Sequence, residues 1–281
     1  MTVRMRRGLL LIVAAWLGAT LIRAGAQTPQ PSDYATSFYV RDGLRLQSYL
    51  YLPTEGAAAP LVVYHHGSRI GADRLERPFP WLAHVLTAAG YAVLVPERRG
   101  YGKSDGKTFT EEVGRDRGTA FLARLQAETD DGLAAIDDAL KTHADRIDSR
   151  RIALVGWSFG GIVSVLGGAR NPRFAAIVVQ APGSLNWDQS PVLRTALLDA
   201  AGRIRAPLQC LVAANDATIE SAKQVCARAA AGGTSATFKL YPAFTPPSAS
   251  NIPAGHLLFT NDGLQFWKED VLAFLAAAFR P

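Results

Sequence analysis

The chain is 281 residues long and 48% apolar, with 30 Lys and Arg against 24 Asp and Glu, a formal charge of +6 and two cysteines. This length accommodates one large α/β domain with a substantial core, and no repeat of about 20–50 residues points to a solenoid or propeller. The basic residues are scattered rather than gathered into runs, which implies no nucleic-acid-binding surface.

In chain order, Arg4, Arg6 and Arg7 precede an apolar run from Leu9 to Ile22, and Ala24-Gly25-Ala26 follows. The run falls short of the roughly 20 apolar residues that a bilayer span needs. Residues 1–26 therefore read as a secretory signal peptide cut between Ala26 and Gln27, with an uncleaved anchor as the other reading. The leader holds four arginines and no acid, so its removal takes the formal charge from +6 to +2. Residues 27–33 read as a polar, disordered lead-in and residues 34–281 as a single catalytic domain. The protein is expected to be exported, periplasmic or secreted, with no stable membrane insertion after cleavage.

Residues 37–40 and 44–52 alternate in polarity on either side of Asp42-Gly43, which predicts an antiparallel hairpin. Strand 60–65, helix 80–89, strand 91–95 and helix 126–143 follow, the last with Leu133, Ile136 and Leu140 on one face. Then come strand 151–155 with a helix after it, strand 175–179, helical stretch 191–202, strand 207–213, helix 220–231, strand 236–241 and an amphipathic helix 264–279. A hairpin followed by alternating strands and helices predicts an α/β fold. Its central sheet is mostly parallel, antiparallel at the N-terminal hairpin, with helices on both faces. Stretches 100–119, 183–190 and 242–255 are expected to be irregular. Each follows the C-terminal end of a strand, where open parallel sheets bind ligands.

Gly156-Trp157-Ser158-Phe159-Gly160 lies between the strand at 151–155 and its helix. Glycines two residues either side of a serine at such a junction form a nucleophile elbow, a turn too tight for side chains at the flanking positions. A serine hydroxyl needs a base within hydrogen-bond reach, and histidine is the usual one. His256 is the only one of five histidines C-terminal to Ser158. Between them stand Asp188, Asp199, Asp216 and Glu220, of which Asp216 alone sits just past an apolar strand. Asp216 is expected to orient His256, with Asp188 in reserve; a helix N-cap is the plainer role for Asp216. Glu220 reads as a first-turn helix acid.

The oxyanion donors are expected to be the backbone N–H of Phe159 and that of Ser68, or Gly67, in His65-His66-Gly67-Ser68. Trp157, Trp187 and Phe244 are candidate walls of an acyl pocket, plain packing being the alternative. His65 and His66 point apart on a strand and no third ligand is spaced to join them, so no metal is expected. The glycines of 100–106 match no phosphate-loop pattern and read as a solvated turn. Glu111-Glu112 and Asp130-Asp131 are consecutive, hence not facing pairs for acid and base work. Cys210 and Cys226 either pair or stand as separate buried thiols.

Together these residues resemble the α/β-hydrolase superfamily, and within it the dienelactone-hydrolase-like and related serine esterase families. The resemblance runs from near Val40 to the last helix. It rests on His66-Gly67-Ser68, on Glu97-Arg98-Arg99-Gly100-Tyr101-Gly102-Lys103-Ser104, on the serine motif, on Asn215-Asp216 and on Gly255-His256. It implies the α/β-hydrolase fold, with Ser158, Asp216 and His256 as nucleophile, acid and base; the segment after Gln180-Ala181-Pro182-Gly183 is short, so any cap is small, and no cofactor is expected. The family's namesake uses a cysteine where this chain has Ser158, which argues against dienelactone as substrate. Relatives often carry aspartate at the position of Glu97, a turn-shaping place outside the chemistry. The expected function is an exported serine hydrolase that cleaves small to medium carboxylic esters, its partner being the small-molecule ester, through an acyl-enzyme. A prolyl-oligopeptidase-type peptidase and a non-catalytic hydrolase-like binding protein are the alternatives.

Overall fold

The sheet begins at the Asp42-Gly43 turn. Both residues are left-handed, with φ of 52° and 74°, as a two-residue type I′ hairpin requires. They join β1 (Ala35–Arg41) to β2 (Leu44–Tyr51), with Arg41 opposite Leu44. In the computed structural model, residues 33–54 and 56–280 are described; the expected leader and the lead-in up to Ser32 lie outside them.

Six further strands complete one eight-stranded sheet: β3 (Ala59–His65), β4 (Ala92–Glu97), β5 (Ile147–Trp157), β6 (Ala176–Gln180), β7 (Leu208–Ala213) and β8 (Ala236–Tyr241), in the order β1-β2-β4-β3-β5-β6-β7-β8. The pairs β1/β2 and β2/β4 are antiparallel and all others parallel. Apolar runs such as Leu61-Val62-Val63-Tyr64 are continuous rather than alternating because both faces are covered. Leu61 and Val63 enter one core with Ile136, Ile162, Leu193 and Val225. Val62 and Tyr64 enter the other with Leu82, Leu86, Val271 and Leu275.

Helices α3 (Thr119–Thr142), α4 (Phe159–Arg170), α5 (Pro191–Ala201) and α6 (Glu220–Ala231) thus cover the first face, and α1 (Pro80–Ala88) and α7 (Leu264–Ala278) the second. Stretch 100–119 is more ordered than expected. A short α2 (Phe109–Val113) lies within it, started by a capping box between Thr108 and Glu111. Helix α3 begins at Thr119, seven residues before the expected start, its first N–H groups at Gly118 and Ala120 accepted by Asp116 (2.7 and 3.1 Å). The apolar period misses this first part because α3 buries Arg124, Glu128 and Asp131. Charged residues on an inward face look like a solvated face in the sequence. Cys210 and Cys226 are free, buried thiols.

Candidate active site

Ser158 stands between β5 and α4 with φ of 56°, an uncommon conformation for a residue with a side chain. Its two flanking glycines have different physical reasons. A Cβ on Gly156 would run into the Gly160 carbonyl and the Ser164 hydroxyl, within the turn itself. A Cβ on Gly160 would run into the His65 carbonyl at the end of β3, on the neighbouring strand. The second glycine therefore lets α4 start hard against the loop that carries Ser68. Gly67 is equally confined: a Cβ there would lie 2.8 Å from the Trp157 ring and 3.2 Å from Ser158 Cβ.

The loop after β7 and the 3-10 turn Ala254–Phe259 bring the candidate acid and base together. His256 Nδ1 lies 3.1 and 3.0 Å from the two carboxylate oxygens of Asp216, and both side chains are buried. Asp216 is an acceptor, so Nδ1 carries the proton and Nε2 is left as the lone-pair nitrogen. Nε2 is buried and has no hydrogen-bond partner among the described residues. Gly255 permits the approach, because a Cβ there would meet Asn215 Oδ1 and Asp216 N at 2.5 Å. Asn215 clamps the Phe244 backbone on both sides, Nδ2 donating to its carbonyl (2.8 Å) and Oδ1 accepting its N–H (2.9 Å).

Asp216 is not the cap of α6, whose N-cap is Ile219, and Asp188 is exposed and makes no hydrogen bond or ion pair to His256 among the described residues. Trp157 sits between the two halves: its ring lies 5.4 Å from the imidazole and its Nε1 donates to the His256 carbonyl (3.0 Å). The Ser158 hydroxyl makes no hydrogen bond to the protein among the described residues.

A cavity of about 650 Å³ opens beside this cluster. Tyr64, Phe79, Trp81 and Trp157 wall it, Ser68 and Leu257 border it, and Arg77 and Asp262 supply charge at its rim. Of the three aromatic residues expected to line a pocket, only Trp157 does so here. Trp187 is buried in the core with Leu193 and Leu197, because the 3-10 turn Ser184–Asn186 directs the chain under α5. Phe244 lines a separate cavity of about 680 Å³ with Phe266, beyond Leu258. The aromatic walls missed by the sequence reading, Phe79 and Trp81, flank the start of α1, where Phe79 takes a left-handed φ of 56°.

The loop bearing Ser68 hangs on a buried ionic network. Arg98 donates to the His66 carbonyl (3.0 Å) and to Glu128 Oε2 (2.8 Å), while Arg124 donates to Glu128 Oε1 (2.9 Å). Burial pushes the Glu128 carboxyl up, but Arg98 and Arg124 together outweigh it and hold it below the usual range. Glu97, expected only to shape a turn, is fully buried and grips Arg69 through both oxygens. Burial, followed by Arg98, holds His65 and His66 well below the ordinary imidazole range, so both are neutral. His65 bonds Ser164 (3.0 Å) and His66 lies between Phe79 and Tyr101.

The sequence profile of the X-Pro dipeptidyl-peptidase (S15) family matches residues 42–268, and the chain belongs to that family. Among curated proteins it is 32% identical over 139 residues to the quorum-quenching protein AidA of Acinetobacter baumannii, covering 50% of this chain and 40% of the relative. It is 28% identical over 144 residues to dipeptidyl-peptidase 5 of Porphyromonas gingivalis, covering 50% and 20%. The aligned stretches thus span less than half of either relative. Among solved structures, acylaminoacyl peptidase of Pyrococcus horikoshii superposes with a TM-score of 0.64 at 14% identity, over 85% of this chain and 40% of that one. An esterase of Pyrococcus furiosus gives 0.60 at 19%, over 87% and 92%. Est1E of Butyrivibrio proteoclasticus, solved with ferulic acid bound, gives 0.62 at 18%, over 86% and 98%. The fold is that of the α/β hydrolases.

Proposed function

We propose that this S15-family chain cleaves carboxylic esters of small to medium acyl groups through an acyl-enzyme on Ser158. The observation that carries the reading is the Asp216–His256 hydrogen bond with Nε2 left free, packed against Trp157 next to the elbow serine. His256 Nε2 takes the Ser158 proton as Oγ bonds to the acyl carbon, and Asp216 stabilises the imidazolium that forms. The carbonyl oxygen becomes an oxyanion held by backbone N–H groups of Phe159, at the N-terminus of α4, and of Ser68. The imidazolium then protonates the departing alkoxide, and the C–O bond breaks. His256 then takes a proton from a water that attacks the acyl carbon, and the imidazolium returns that proton to Ser158 Oγ as the acyl–Oγ bond breaks and the carboxylic acid leaves. The cavity walled by Trp81, Phe79 and Trp157 accommodates the acyl group.

A peptidase is the second reading, supported by the family match and by Asp262, the one acid among the described residues bordering the cavity, where a peptide α-ammonium would find a counter-charge. Both readings share the triad and differ in leaving group. Export after cleavage at Ala26 belongs to the same proposal, with residues 34–281 as the catalytic domain, and N-terminal sequencing of the mature protein tests it.

The decisive experiment measures hydrolysis of nitrophenyl esters of increasing acyl length, and of aminoacyl and X-Pro nitroanilides, by wild type and Ser158→Ala. Ester turnover that vanishes in the variant supports the proposal. Nitroanilide turnover without ester turnover moves the assignment to the peptidase. Turnover that survives in the variant overturns the serine mechanism.

A further inference from the structure

The loop after β6 delivers a fourth polar side chain to the triad. Ala181 and Gly183 are both left-handed, with φ of 49° and 69°, and the Gly183 N–H reaches the Ser158 carbonyl at 3.4 Å. The chain is thereby folded back so that Ser184, 3% exposed, begins its 3-10 turn against the acid and the base. A non-glycine residue in this conformation persists only where the surroundings impose it. Ser184 Oγ lies 2.8 Å from Asp216 Oδ1 and 3.0 Å from His256 Nδ1.

We infer that Ser184 is a positioning residue that holds the Asp216–His256 pair and favours the imidazolium. The inference rests on the serine mechanism proposed above. A hydroxyl has one proton and two lone pairs, and an ionised carboxylate only accepts. The Ser184 proton therefore goes to Asp216, and its lone pairs face the Nδ1–H. That N–H then has three acceptors, the two Asp216 oxygens and Ser184 Oγ, and the ring is gripped from two loops at once. Each such bond is stronger to the imidazolium than to the neutral ring, so the hydroxyl favours the form that exists while Ser158 has lost its proton. Asp216, from the loop after β7, is the titratable group in contact with the ring. Trp157 covers the ring from β5, and no other acid or base pairs with His256 among the described residues.

The test compares Ser184→Ala and Ser184→Thr with wild type, following kcat, KM and the pH profile of kcat/KM on one nitrophenyl ester. Active fractions are counted by stoichiometric fluorophosphonate labelling of Ser158, so that misfolded protein drops out of the rate. Losing one hydrogen bond to a charged group predicts about a tenfold lower kcat per labelled site in the alanine variant, with KM little changed. The acid limb moves about one unit to lower pH, because the imidazolium has lost a partner of that worth. The threonine variant keeps the hydroxyl and recovers both rate and profile. An alanine variant with wild-type kcat and profile overturns the inference, as does one that is slow with an unshifted acid limb. Ser158→Ala run alongside separates the two failures: if it still turns over ester, the serine mechanism itself falls.

Discussion

Replacing Glu128 by Gln keeps the shape of the side chain and removes its charge. In the wild type that carboxylate accepts from Arg98 at 2.8 Å and from Arg124 at 2.9 Å, with both guanidinium groups and the carboxylate fully buried. The glutamine offers one acceptor, and its NH2 faces the other guanidinium. Two charge-assisted bonds at about 1.5–3 kcal/mol each set the scale of the loss. Breaking a buried ion pair from one side typically costs about 3–5 kcal/mol, since the cations left behind have no water to turn to. For a domain of this size that corresponds to roughly 6–20 °C in Tm.

Urea unfolding of the wild type and E128Q at pH 7 measures the difference as a lower midpoint with unchanged slope. Because Arg98 also holds the His66 carbonyl, ester hydrolysis falls as the Ser68 loop loosens. The control is E112Q: Glu112 reaches the same Arg124 from the surface, with a half-exposed side chain, so its removal costs less than about 1 kcal/mol. A loss below about 1 kcal/mol in E128Q, or equal losses in the two variants, would refute the argument that burial sets the cost.

Three further outcomes are expected. His65 and His66 are held neutral in the fold, so their folded pKa values lie below the unfolded one. The unfolded chain therefore binds two more protons as pH falls beneath about 6.5, and stability drops by about 2.7 kcal/mol per pH unit in that window. Urea midpoints at pH 7, 6 and 5 measure the slope, which H66N should roughly halve. Gly160→Ala places a Cβ on the immovable His65 carbonyl and should cost about 1–3 kcal/mol with loss of ester hydrolysis; a wild-type urea midpoint would count against the close approach. Asp216→Asn leaves the ring in the wrong tautomer and should lower kcat by about 10⁴ at unchanged KM. A fall of less than tenfold on the same ester would remove Asp216 from the mechanism.

What the residues themselves determine is local and repetitive. Asp42-Gly43 dictates its turn because both positions need positive φ, and the apolar strands declare a covered sheet because burial on two faces leaves no polar alternation. The serine motif is legible because its glycines answer to contacts within a few residues, Gly156 against Gly160. Gly255-His256 and Asn215-Asp216 stand out because each follows the C-terminal end of a strand, where open parallel sheets bind ligands.

Other features depend on which segments meet in space. Whether Asp216 or Asp188 faces His256 is decided by the crossing of two loops 40 residues apart in sequence. Trp187 and Phe79 look alike as loop aromatics, yet one turns into the core and the other onto the cavity. Arg124 and Glu128 read as solvated charges, and only the packing of α3 against the β4 loop makes them a buried pair. Ser184 carries no signal of its own, because a serine hydroxyl is generic until a carboxylate and an imidazole close on it from other strands. Local sequence specifies conformation through short-range sterics, whereas partners are chosen by the long-range register of the sheet, which no single segment encodes.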